Sequence, residues 1–139
     1  MNKLYKSFID PKTSLRRQYE LLQQIITILI RHPPDLTDEA YCQLIKELTK
    51  CPKYVFFYSL LQPRSHLLNC WKLFSVLAGC VTPNEELFPY IQYFVSKSVT
   101  NDVDLAKYCN YVFHTLHKNL YLGKREEIPT IAELSATLV

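Results

Sequence analysis

Glycine is nearly absent from this chain of 139 residues, with Gly79 and Gly123 the only two. That excludes Gly-rich phosphate-binding loops and leaves little for the tight turns of hairpin-built β folds. No apolar run reaches the roughly 18 residues that a membrane-spanning helix needs. The first residues, MNKLYKSFIDPKTS, lack the apolar centre of a signal peptide. We therefore expect no transmembrane segment and a cytoplasmic location. There is no CxxC and no HExxH, the two spacings that most plainly announce a zinc site. The five cysteines are an odd number. Cys42, Cys70, Cys80 and Cys109 stand beside apolar neighbours at helical positions, which points to buried reduced thiols and away from a disulfide framework.

What is present is ordinary globular material, 48% hydrophobic and 21% charged, long enough for one domain with its own core. Helical periodicity dominates. Leu15, Tyr19, Leu22, Ile26 and Leu29 predict a first helix from Ser14 to Arg31, ended by His32-Pro33-Pro34. Thr37 is the expected N-cap of a second helix from Asp38 to Lys50, with Tyr41, Leu44, Ile45 and Leu48 inward. Residues from His66 to Val81 leave almost no polar face around Trp71, so this third helix must be surrounded by others. Thr82-Pro83-Asn84-Glu85 reads as the start of a fourth helix that buries Leu87, Phe88, Ile91, Phe94 and Val95. Asn101 or Asp102 caps a fifth, with Leu105, Tyr108, Cys109, Val112, Phe113, Leu116 and Leu120 as its stripe and Gly123 as its stop. Thr130 to Glu133 is a capping box for a short last helix with Ile131, Leu134 and Leu138 inward. The fold class expected is all-α, a compact bundle of about six helices. Residues 1–13 form a basic N-terminal segment and 14–139 the single domain. Tyr54-Val55-Phe56-Phe57-Tyr58 follows no helical period. It reads as a lid over the bundle or, if exposed, as a partner patch.

Candidate chemistry is thin. His114 and His117 share a helix with Cys109, but no second cluster completes a metal site. A Cys–His nucleophilic pair would need an exposed, activated thiol. Asp38-Glu39 and Glu126-Glu127 are sequence neighbours that project apart, unsuited to acid–base work. The ten tyrosines and seven phenylalanines fall mostly on helix stripes without the interleaved basic residues of a nucleic-acid surface. No enzyme activity, cofactor, metal or nucleic-acid partner is expected.

Several runs resemble the myosin tail homology 4 domain, found in tails of unconventional myosins, in some kinesins and in some Rho GTPase-activating proteins. LTDEAYCQLIKELTKCP is similar to the family's Leu-x-Asp-Glu-x-Tyr-Cys-Gln-Leu-x-Lys-Gln run. CWKLFSVLAGCVTP is similar to its Trp-centred helix ending in Pro. LAKYCNYVFHTL and GKREEIPTIAEL follow in the family's order. The resemblance covers residues 14–138 and implies a helical, non-catalytic interaction module of a cytoskeletal motor tail or related adaptor. It would bind microtubules or cargo proteins. The alternative it leaves open is a supporting domain beside a Rho GTPase-activating domain in a signalling protein.

The net charge of +3 is unevenly spread. Lys3, Lys6, Lys12, Arg16 and Arg17 face only Asp10 in the first 17 residues. Lys46, Lys50 and Lys53 make a second basic group. Both are candidate partner-binding residues for an acidic surface, tubulin or a cargo tail by the resemblance. Family members that bind microtubules carry several lysines on the helix after the Trp-centred one. Here Lys97 alone stands there, so the N-terminal group is the stronger candidate.

Overall fold

The computed structural model describes residues 2–32, 34–50, 64–98, 102–122 and 127–138. Seven helices and no strand occur among them. They are α1 (Asn2–Ile9), α2 (Leu15–Arg31), α3 (Pro34–Lys50), α4 (Arg64–Cys80), α5 (Phe88–Lys97), α6 (Val103–Leu122) and α7 (Ile131–Leu138). The all-α expectation holds. The aromatic stretch 53–62, Cys51 and Gly123 lie outside the described residues.

α4 is the axis. It packs against α1, α2, α3, α6 and α7, and from Asn69 to Ala78 only Lys72 escapes full burial. That is why its sequence shows no polar stripe. Trp71 stacks on Phe74 at 5.2 Å between ring centroids and faces Phe94 of α5 at 6.4 Å. Tyr41 of α3 meets Phe74 edge-on and donates its hydroxyl to Val81 O at 2.6 Å. Burial, with Cys80 and Asp38 nearby, pushes that hydroxyl well above the usual tyrosine range. Asn119 of α6 donates to Ala78 O at 2.9 Å and Gly79 O at 3.3 Å, satisfying carbonyls at the end of α4.

Several element starts follow the sequence signals. Ser14 Oγ accepts from Arg17 N, Asp102 Oδ1 from Asp104 N, and Thr130 Oγ1 from Glu133 N. α2 ends at Arg31, and His32 is extended at φ −111, ψ 171, the geometry a residue before proline favours.

Other expectations are corrected. α3 starts at Pro34, with Asp35 in its first turn. Proline is pre-set for that position, so Thr37 is a buried residue inside the helix and not its cap. Thr82-Pro83-Asn84-Glu85 does not open a helix. Asn84 N donates to Asp38 Oδ1 of α3 at 2.8 Å, and Asn84 Oδ1 accepts from Glu86 N. Asn84 therefore makes a tertiary tie and a local turn, and α5 begins at Phe88 with Pro89 in its first turn. Leu15, Phe113 and Ile131 sit on exposed faces, not inward.

The largest addition is α1. Tyr5, Phe8 and Ile9 of this helix lie in the same core as α2 and α4. Its last carbonyls are satisfied by side chains from two other helices. Gln18 of α2 donates to Phe8 O at 3.4 Å, and Asn69 of α4 donates to Ile9 O at 3.4 Å. Gln18 Nε2 also donates to Asn69 Oδ1 at 2.9 Å, which locks the pair. Tyr5 donates to Gln43 O of α3 at 3.3 Å.

Candidate interaction surface

Burial of Tyr5, Phe8 and Ile9 turns the opposite face of α1 outward, with Lys3 and Lys6 on it. The turn at 10–14, closed by Thr13 N to Asp10 O, brings the chain straight into α2. Lys12 lies exposed on that turn, and Arg16 and Arg17 are exposed in the first turn of α2. Lys6, Lys12, Arg16 and Arg17 thus gather around the junction of the two helices, with Lys3 one turn back along α1.

Two carboxylates share this pole. Asp10 Oδ1 accepts from the Lys12 backbone N–H at 2.9 Å. Glu20 meets Arg16 Nε at 3.8 Å and Arg17 Nη1 at 3.3 Å. These are exposed ion pairs of the kind that contribute about 0–1 kcal/mol. The helix start itself opposes the cations. The N-terminus of a helix carries partial positive charge, yet neither α1 nor α2 has an acidic residue in its first turn.

The second basic group is only partly on view. Lys46 is exposed on α3, one turn beyond the Gln43 carbonyl that Tyr5 of α1 reaches. Lys50 ends α3, and Lys53 lies outside the described residues. Lys97 extends over the Tyr93 ring at 5.5 Å on α5.

A cleft of about 560 Å³ adjoins the pole, between α1, α2 and the residues leading into α7. No sequence signal marked it, because Leu4, Glu20 and Ile128 come together only when α1 and α7 flank α2. Elsewhere, α6 presents Tyr111, Phe113 and Tyr121 to solvent beside His114 and His117. The two histidines edge against Phe113 and Tyr121. Cys109 points the other way, toward Ser98 O, and burial pushes its thiol up to about 11. A thiol held there is a poor nucleophile. Among the described residues no three histidine, cysteine or acidic groups gather to hold a metal, and no helix is long and apolar enough to cross a membrane.

The MyTH4 domain family matches residues 22–136, most of the chain. The chain belongs to this family. Myosin-VIIa of Drosophila melanogaster is 30% identical to this MyTH4 domain over 103 residues, which is 74% of the chain and 4% of the myosin. Unconventional myosin heavy chain 6 of Caenorhabditis elegans is 30% identical over 102 residues, 73% of the chain and 4% of its own length. Unconventional myosin-VIIb of Mus musculus is 30% identical over 103 residues, with 74% and 4% covered. The chain therefore spans a very small part of the myosins it resembles. No solved structure matches it significantly. The family match begins at Leu22, so every residue of the cationic pole lies before it.

Proposed function

We propose that this MyTH4 domain is a non-catalytic protein-interaction module of a cytoskeletal motor tail or related adaptor. It acts in the cytoplasm at the cytoskeleton and holds an acidic protein surface, a microtubule or a cargo tail, against Lys3, Lys6, Lys12, Arg16 and Arg17. Lys46 widens the surface from α3. The observation that carries this reading is Arg16 and Arg17 in the first turn of α2, exposed and unaccompanied there by any acidic residue. A helix start chosen for stability would carry Asp or Glu at those positions. Glu20, one turn on, offsets only part of this charge through two exposed pairs, and an acidic partner would relieve the rest of the mutual repulsion and the unfavourable dipole.

Microtubule co-sedimentation at low and high salt tests this. Wild type pellets at low salt and is released as salt rises and the screening length falls below about 8 Å. Reversal of Lys12, Arg16 and Arg17 to Glu removes the pelleting and leaves the melting temperature nearly unchanged, since exposed charges contribute little to stability. A triple reversal that pellets like wild type refutes the pole and makes Lys46, Lys50 and Lys53 the next candidates. A wild type that stays in the supernatant at low salt removes tubulin. It also favours the alternative of a supporting domain beside a Rho GTPase-activating domain.

A further inference from the structure

The cleft beside the pole has a chemical preference that its own hydrogen bonds define. Leu4, Ile28 and Ile128 line it with Glu20, Gln23, Gln24 and Thr27. Most of the polar groups are already engaged. Thr27 Oγ1 donates to Gln23 O at 2.6 Å, and Gln23 Nε2 donates to Pro129 O at 3.1 Å. Glu20 is paired with Arg16 and Arg17. Among the described residues, what remains for a ligand is three aliphatic side chains, the Gln24 amide and Gln23 Oε1, with Arg16 and Arg17 reached through the lining residue Glu20. A small polar metabolite would find few convergent polar groups to orient it. A bilayer engages the broad apolar face of an amphipathic helix, whereas the apolar surface here is three side chains among four polar ones.

We propose that the cleft is an anchor pocket for one apolar side chain of an acidic peptide segment, whose neighbouring carboxylates pair with Arg16 and Arg17. This rests on the reading that the partner is acidic, and adds to it that charge alone is not what the partner offers. The anchor displaces water from Leu4, Ile28 and Ile128. The segment's carboxylates share the arginines with Glu20. Glu20 then acts as a positioning residue that holds both guanidinium groups at the mouth of the cleft.

Two fluorescein-labelled twelve-residue peptides decide it by anisotropy, one all-Glu and one with a single central Leu. Wild type binds the Leu peptide about tenfold more tightly, the effect of one partly buried aliphatic side chain. Thr27→Trp and Gln24→Trp each fill the cleft. They abolish that preference while the all-Glu peptide binds as before, with circular dichroism and melting temperature confirming the fold. Equal binding of the two peptides to wild type, lost in the triple reversal of Lys12, Arg16 and Arg17, refutes the anchor and leaves the acidic-partner reading standing. A preference that survives both cleft-filling variants also refutes it. If neither peptide binds wild type, both readings fail. Flotation with phosphatidylserine vesicles that Thr27→Trp abolishes would assign the cleft to lipid instead.

Discussion

Asn69→Ala should unlatch α1 from the bundle. The Asn69 side chain is buried and makes two contacts: it donates to Ile9 O at 3.4 Å and accepts from Gln18 Nε2 at 2.9 Å. Truncation leaves Ile9 O without that donor and takes away the shorter of the two bonds that fix Gln18. A buried polar group left unsatisfied costs about 1–3 kcal/mol. The Ile9 bond is long, so its loss belongs at the low end of that range, and the 2.9 Å bond adds about 1 kcal/mol. The lost side-chain volume adds a little more. The expected total is about 2–3 kcal/mol, read as a fall in the urea midpoint with an unchanged slope. A second readout is local. Amide exchange in residues 2–9 should accelerate more than in α4, because α1 loses its docking while α4 keeps its other neighbours. A stability change under about 0.5 kcal/mol, or exchange in α1 that does not move, would refute the view that this polar pair holds the helix in place. On the proposed reading of the surface, the same variant also weakens microtubule pelleting without removing any cation, since α1 carries Lys3 and Lys6.

Trp71→Ala should cost about 3–5 kcal/mol in urea denaturation, because the ring is nearly buried and stacked between Phe74 and Phe94. Native fluorescence should be blue-shifted, and a solvent-like emission maximum in folded protein would contradict that placement. Cys70, Cys80 and Cys109 should react slowly with a disulfide reagent at pH 8, being buried, with the Cys109 thiol pushed up to about 11. Denaturant should release all five thiols of the sequence, and rapid native labelling of these three would overturn the assignment. Gly79→Ala should stabilise by less than the roughly 0.5–1 kcal/mol of a helix-interior change, since Gly79 is the next-to-last residue of α4. Among the described residues its Cβ would meet only the Tyr111 hydroxyl, at the ordinary contact distance of 3.6 Å, and a lower melting temperature would show that contact to be tighter.

The parts of the fold that were legible are those where one physical signal acts alone. The unbroken apolar surface around Trp71 demanded a central helix, and α4 is one. Ser14, Asp102 and Thr130 each cap the helix that follows them. Legibility failed where tertiary contacts compete with local signals. The run Thr82 to Glu85 has the letters of a capping box, but Asp38 takes the Asn84 N–H from another helix. Thr37 has good N-cap chemistry, but Pro34 starts the helix one turn earlier. α1 was missed for a different reason. Tyr5, Phe8 and Ile9 keep helical spacing, yet eight residues are too few to hold a helix in water. Its stability comes from burying Tyr5, Phe8 and Ile9 against α2 and α4 and from Gln18 and Asn69, polar residues that sequence pattern alone would leave on the surface.

The candidate site divides along the same line. Charge is additive along a sequence, so Lys3, Lys6, Lys12, Arg16 and Arg17 stood out by composition. Their geometry did not, because it depends on where α1 docks. Nor did Glu20, whose role is set by two partners within one turn of α2. In the proposed surface, Glu20 sets what an acidic partner must compete with. It spaces the arginines and partly neutralises them, so an incoming carboxylate must compete with it. Because both pairs are exposed and weak, that competition costs little, and affinity then depends on what the partner adds beyond charge. An acidic partner with nothing to place in the neighbouring cleft should bind weakly and be released by salt. One with an apolar side chain at the right spacing should bind more tightly and keep part of its affinity when the charges are screened, since burial of aliphatic surface does not depend on ionic strength as ion pairing does.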